Sequence, residues 1–188
     1  MKYGLIGEKI GHSFSPQIHG MLASYEYALR PVARDELEEF IESRDFLGLN
    51  VTIPYKKAVM PFCDLIDPDA AEIGSVNTLV VKNGRLFGYN TDIQGFIYMV
   101  RRSGVVFEGK KIVILGTGGT AMTARAAAKK LGAGEIVHVS RTGENNYSNL
   151  SRHADADVLV NTTPVGMYPN CGSAPVDLSI FPNLSGVL

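Results

Sequence analysis

Asn50-Val51-Thr52-Ile53-Pro54-Tyr55-Lys56 gathers an amide, a hydroxyl and an amine in one short stretch. The apolar run over 48–51 reads as a strand, Pro54 stops it, and Lys56 is expected on a helix over 55–62. Three polar groups are thereby placed at a strand's carboxyl end, where open α/β sheets hold their ligands. An amine beside a carbonyl oxygen can stabilise negative charge developing there and hand over a proton, becoming the base in the reverse direction. Lys57 points to another face of the expected helix and is read as solvated.

Further chemistry-bearing groups are spread along the chain. Ser13 and Ser15, in Ser13-Phe14-Ser15-Pro16, stand two apart before an expected helix over 16–24, with Pro16 in its first turn and Ser15 as N-cap. Their hydroxyls and the helix N-terminus suit an anion, and capping accounts for at least one of them. Asn77 in Gly74-Ser75-Val76-Asn77-Thr78 offers an amide to a ligand hydroxyl or to loop backbone. Asp92 closes Asn90-Thr91-Asp92 and is a carboxylate that can orient an amine or serve as a first-turn helix acid. His19 is read as a packing residue.

A second constellation begins at Gly116-Thr117-Gly118-Gly119-Thr120-Ala121, directly after the apolar run 111–115 and at the start of an alanine-rich helix. Glycines there allow a tight turn, and the helix N-terminus offers free N–H groups to a pyrophosphate. Ala121 stands where a third glycine is usual and is small enough for close helix–strand packing. The next strand, over 136–140, ends in Ser140-Arg141-Thr142 without the acid that a NAD site places there. Arg141 suits a 2′-phosphate through its planar fork of donors, so NADP is the expected cofactor. Asn161-Thr162-Thr163-Pro164-Val165-Gly166-Met167, after a strand at 158–160, carries small and polar residues that suit a contact to a cofactor's ribose and nicotinamide.

These groups need a frame. Strands are read near 3–6, 27–32, 48–51, 78–81 and 86–89, with helices near 16–24, 34–43 and 55–62 between them. Lys82-Asn83-Gly84 joins two of the strands as a hairpin, so the first sheet is not purely parallel. A helix over 91–102 carries Ile93, Phe96, Ile97 and Val100 at helical spacing, and the polar turn after it sets the expected boundary between residues 1–104 and 105–188. The second part is a βαβ unit with a right-handed crossover. The fold class is therefore α/β, with an N-terminal mixed, mostly parallel α/β domain followed by a Rossmann-type domain.

Taken in order, the serine pair, the Asn50–Lys56 stretch, Asn77, Asn90-Thr91-Asp92 and the glycine loop resemble the shikimate dehydrogenase family over nearly the whole chain. The resemblance implies NADP-dependent reduction of 3-dehydroshikimate to shikimate, on the route to chorismate and the aromatic amino acids. It implies Lys56 and Asp92 as catalytic groups and Ser13, Ser15, Thr52 and Asn77 as substrate contacts, with the serines on the carboxylate. For the cofactor it implies Gly116, Gly118, Gly119, Thr120, Ala121, Ser140, Arg141, Thr142, Thr163 and Met167. Gly20 departs from the asparagine usual after the family's histidine, and Ser140 from the asparagine before its arginine. The chain reaches Leu188 inside an expected strand, whereas the family continues with more of the nucleotide domain and with helices that return to the first. The Rossmann-type domain is thus expected to be incomplete. A quinate/shikimate dehydrogenase and a non-catalytic binding module of the same fold are the competing readings.

Composition narrows the partners. The 188 residues carry 18 basic and 19 acidic side chains, a net charge of −1, so there is no electrostatic case for nucleic acid or an anionic membrane. No apolar run reaches the roughly 18 residues a membrane span needs, and no leader pattern precedes the first strand. Cys63 and Cys171 are far apart and lack metal-ligand spacing, which fits a reducing compartment. The reading is a cytoplasmic monomer or homodimer acting on a small molecule, without a metal.

Overall fold

A computed structural model describes residues 1–11 and 13–188, and the chain divides into two compact units, Met1–Thr91 and Asp92–Leu188.

The first unit holds β1 (Tyr3–Gly7), α1 (Ser15–Leu22), β2 (Tyr27–Pro31), α2 (Leu37–Glu42), β3 (Gly48–Val51), β4 (Leu65–Ile66), α3 (Pro68–Ile73), β5 (Thr78–Lys82) and β6 (Arg85–Tyr89). Its sheet runs in the order β2-β1-β3-β5-β6-β4. β1 pairs in parallel with both β2 and β3, while β5 enters antiparallel to β3 and to β6. This is the expected mixed sheet. Ile6, Leu49, Val51, Leu79 and Leu86 lie at its buried centre, with Val32, Ile41 and Val59 over them. Asn83 and Gly84 form the hairpin turn with φ of 53° and 73°, the left-handed pair that a two-residue turn requires.

Register fixes which residues share an edge. Asn50 lies opposite Thr78, and Thr78 opposite Tyr89. The carboxyl ends of β1, β3 and β6 and the start of β5 therefore meet at one edge of the sheet. The Ser13–Ser15 loop, Thr52, Asn77 and Thr91 all leave from there.

Local structure departs from the sequence reading in three places. Residues 53–59 form successive turns, and only Met60–Phe62 closes as a short 3₁₀ segment, so no helix spans 55–62. Two helical bonds are lost there. The Lys56 carbonyl accepts from the Val76 N–H at 2.8 Å, and Pro61 has no N–H to give. Second, β4 and α3 fill a stretch that the sequence reading leaves unassigned. Asp67 caps α3 by accepting from the Asp69 N–H, Pro68 opens it, and Gly74 ends it in the left-handed conformation. Third, α1 begins at Ser15 itself, with Phe14 at the N-cap position and no side-chain cap there, while Ser13 Oγ accepts from the Ser15 N–H at 3.1 Å.

The second unit holds α4 (Asp92–Ser103), β7 (Lys111–Leu115), α5 (Gly119–Lys130), β8 (Glu135–Val139), β9 (Val158–Asn161) and β10 (Gly186–Val187). Its sheet, β10-β9-β7-β8, is parallel throughout. β7 is buried on both faces, as its unbroken apolar run requires. Val100 of α4 is buried with Ala121, Ala124 and Ala128 of α5 and with Ile112 and Ile114 of β7. That shared core groups α4 with the second unit, and the units divide one helix earlier than the boundary expected after residue 104.

Candidate active site

In the first unit the candidate substrate groups form one hydrogen-bonded series. Ser13 Oγ donates to Ser15 Oγ at 3.1 Å. Ser15 also hydrogen-bonds the phenol of Tyr27, which donates to Asn50 Oδ1 at 2.6 Å. Asn50 Nδ2 approaches Thr78 Oγ1 at 3.4 Å, and Thr78 Oγ1 donates to Asn77 Oδ1 at 2.9 Å. The same oxygen of Asn77 accepts from the Thr91 N–H at 2.9 Å and the Thr91 hydroxyl at 3.2 Å. Burial pushes the Tyr27 phenol up to about 12, against the opposing hydrogen bond from Ser15. His19 stacks on Tyr27 at 3.9 Å between ring centroids and hydrogen-bonds Tyr25, in keeping with the packing role read for it.

Asn77 is buried, with 7% of its surface exposed. The amide of Asn50 is committed to Tyr27 and Thr78, which leaves Thr52 and Lys56 as the groups of the opening stretch to set against a ligand. Thr52 stands close against β1, because a Cβ on Gly7 would come within 2.6 Å of its methyl group. Lys56 is half-buried, and its main chain is fixed on both sides. Buried Tyr55 donates its hydroxyl to the Val32 carbonyl at 2.6 Å, and the Lys56 carbonyl holds Val76. Asp92 is the first residue of α4 and is exposed. The segment before it is anchored in the first unit, since Asn90 Nδ2 donates to the Ser75 carbonyl at 2.9 Å and Thr91 is held by Asn77.

In the second unit a cavity of about 540 Å³ opens at the carboxyl ends of β7 and β9. Gly116, Gly118, Arg141 and Thr163 line it, as do Thr117 and Thr162, which lie in the quoted loops without being singled out, and Tyr147 and Pro175, which the sequence reading does not include. Gly119, Thr120, Ala121, Ser140, Thr142 and Met167 are not on its wall. Ala121 is wholly buried against the strands and acts by packing. Ser140 Oγ accepts from the Gly143 N–H at 2.8 Å and so shapes the loop that presents Arg141. The Asn146 side chain starts the 3₁₀ segment Tyr147–His153 by accepting from Ser148, which carries Tyr147 to the cavity. An asparagine followed by a turn is the only local signal there, and it is shared with many surface turns.

The cavity fits a dinucleotide. Gly116, at φ 111°, approaches Thr162 so closely that a Cβ would sit 2.7 Å from its hydroxyl. Gly118 and Gly119 face open space at the start of α5, leaving the backbone N–H groups accessible to a phosphate. Asn161 Oδ1 accepts from both the N–H and the hydroxyl of Thr163, which holds the neighbouring loop against the cavity.

The sequence model for the shikimate dehydrogenase substrate binding domain matches residues 5–79. The shikimate dehydrogenase (NADP(+)) of Clostridium perfringens strain ATCC 13124 is 40% identical over 95% of this chain and 74% of its own length. The chain belongs to the shikimate dehydrogenase family. Among solved structures, the chorismate mutase/shikimate 5-dehydrogenase fusion of Clostridium acetobutylicum aligns with a TM-score of 0.89 and 36% identity, covering 98% of this chain and 75% of that one. Shikimate 5-dehydrogenase from Thermus thermophilus, solved with NADP(H) and shikimate, aligns with a TM-score of 0.83 and 28% identity, covering 100% of this chain and 77% of that one. The chain thus spans about three quarters of these shikimate dehydrogenases, and its two-part α/β architecture is theirs.

Proposed function

We propose that the protein interconverts 3-dehydroshikimate and shikimate, with Ser13, Ser15, Thr52 and Asn77 holding the substrate and Lys56 and Asp92 serving the chemistry. The observation that carries this reading is the single sheet edge from which the serine loop, Thr52 and Asn77 all project, within the residues the substrate-domain model matches. NADPH, when bound, supplies the hydride to the carbonyl carbon. Gly116, Gly118, Arg141 and Thr163 would hold it, with Arg141 on the 2′-phosphate. Gly119, Thr120 and Ala121 contribute the helix start, Ser140 and Thr142 the loop around Arg141, and Met167 the nicotinamide side.

Lys56 stabilises the oxyanion that forms as the carbonyl is reduced and gives it a proton, and in the reverse direction takes that proton back. Asp92 is the second group assigned to the chemistry, a carboxylate that accepts from a substrate hydroxyl. In functional terms the reading is residues 1–104 as substrate and catalytic domain and 105–188 as nucleotide domain, so that α4, although it packs with the second unit, contributes Asp92 to the first domain's chemistry. The protein acts in the cytoplasm, as the free cysteines Cys63 and Cys171 suit a reducing compartment, and as a monomer or homodimer without nucleic acid.

Replacement of Lys56 by alanine tests the proposal. Turnover of shikimate with NADP should fall about 10²–10⁴-fold with circular dichroism unchanged, the contribution typical of a positioned proton donor. A loss below about fivefold removes Lys56 from the chemistry.

A further inference from the structure

We infer that the main-chain N–H of Thr91 sets the hydrogen-bond polarity of the whole Tyr27–Asn50–Thr78–Asn77 series, and so makes Asn77 a donor-only contact that selects an acceptor oxygen on the substrate. The inference deepens the reading of Asn77 as a substrate contact and rests on it for the last step only.

Each link follows from the one before. A backbone N–H can only donate, so the Asn77 atom 2.9 Å from it is the carbonyl oxygen. Thr78 Oγ1, 2.9 Å from that oxygen, must then direct its single proton to it. With that proton committed, Thr78 can only accept, so the Asn50 atom facing it is the amide nitrogen. The opposite atom of Asn50 is therefore the oxygen, and the Tyr27 hydroxyl 2.6 Å away must donate to it. A phenol pushed up to about 12 retains its proton for that purpose across the working pH range. With the Thr91 hydroxyl added, the Asn77 oxygen has three donors around it, and it is buried. The amide nitrogen is what Asn77 has left to offer a ligand. A hydroxyl or carbonyl oxygen satisfies it, whereas a group presenting only hydrogens leaves a buried donor unpaired, which a site rejects strongly.

Thr78, Asn50 and Tyr27 are thus positioning residues. Their test uses the side-chain amide signals of Asn77 and Asn50 in ¹⁵N-labelled protein, together with shikimate kinetics. The Asn77 amide should be rigid without ligand, with an order parameter near about 0.85, should loosen toward about 0.6 in Thr78→Val, and should recover in Thr78→Ser. Tyr27→Phe should shift the Asn77 signal when Thr78 is present and leave it unmoved in the Thr78→Val background. An Asn77 amide equally mobile in all forms, or a Tyr27→Phe shift that persists without Thr78, overturns the series whatever the protein does with shikimate. In the kinetic arm Thr78→Val should raise KM for shikimate about three- to tenfold, the effect of one lost hydrogen bond, with kcat within about twofold and Thr78→Ser restoring KM. A rigid, coupled Asn77 in a wild-type protein that neither binds nor oxidises shikimate would leave the polarity established and sink the substrate assignment instead.

Discussion

Among single residues, Arg141 offers the sharpest separation of roles. It is exposed, it lines the second unit's cavity, and the strand before it has no carboxylate at its carboxyl end to bind a ribose. If its guanidinium reads the 2′-phosphate, Arg141→Ala should weaken NADPH binding roughly ten- to a hundredfold, the cost of a lost charge-assisted hydrogen bond, and leave NADH nearly unchanged. Fluorescence titration with both cofactors decides it, and equal weakening of the two would show that Arg141 touches something they share. The residue scale also shows where sequence reading stops. Ser13, Thr52 and Asn77 can be singled out because polar groups at strand ends carry a known geometry. Tyr27 and Thr78 cannot, since their importance lies in what they touch across 23 and 28 residues of chain. Tyr147 escapes because nothing in its own neighbourhood marks it, and the Asn146 turn that delivers it looks like any surface turn.

Elements are legible in proportion to their patterns. The parallel strands announce themselves as apolar runs, and the Asn83-Gly84 hairpin by its turn residues. The segment holding Lys56 reads as a helix because its spacing allows one. One tertiary fact and one covalent one override that spacing, the capture of the Lys56 carbonyl by Val76 and the absence of an N–H at Pro61. Periodicity cannot register either. The short α3 is visible only as punctuation, Asp67-Pro68 at one end and Gly74 at the other. The boundary shifts by one helix because the apolar face of α4 does not say which core it joins.

The loop between β7 and α5 makes its own prediction at this scale. Gly116 has a φ of 111° and lies where a Cβ would strike Thr162, whose hydroxyl donates to the Leu115 carbonyl at 2.5 Å. Gly116→Ala should therefore destabilise the protein by more than about 1 kcal/mol in urea unfolding and weaken NADPH binding with it. A variant of unchanged stability would mean that the loop can swing away from Thr162 at no cost.

For the molecule as a whole, acid sensitivity should come from two kinds of group with separate pH windows, a half-buried histidine and paired carboxylates such as Asp157. His138 on β8 is pressed below its ordinary 6.5 by burial, with a nearby Arg125 adding to the effect, and its Nε2 is buried without a partner. The unfolded chain takes up a proton there that the folded chain refuses. Stability should therefore fall as pH drops through 6.5 toward the folded value and then level off. Asp157 is held low by the Lys110 amine at 2.8 Å and by the Lys111 N–H. Its contribution is present above its ordinary 3.8 and is lost only as pH falls below that. Urea midpoints measured between about pH 7.5 and 5.5 should decline in the wild type and flatten in His138→Gln, while Asp157→Asn changes only the more acidic limb. A decline that survives His138→Gln assigns it elsewhere.

The antiparallel entry of β5 has a consequence in chain entropy. Because the hairpin turns back at Asn83-Gly84, at the opposite end of the strands, Asn77 and Thr91 meet after only 14 residues of chain. The two links that extend the series span 28 residues, from Asn50 to Thr78, and 23, from Tyr27 to Asn50. Closing a loop costs only about 0.6 kcal/mol more for each doubling of its length, so all three closures fall within one doubling of each other. The hydrogen-bonded series is thus assembled from short loops of similar closure cost, and the tip of the hairpin can be lengthened without stretching any of the strands that carry them.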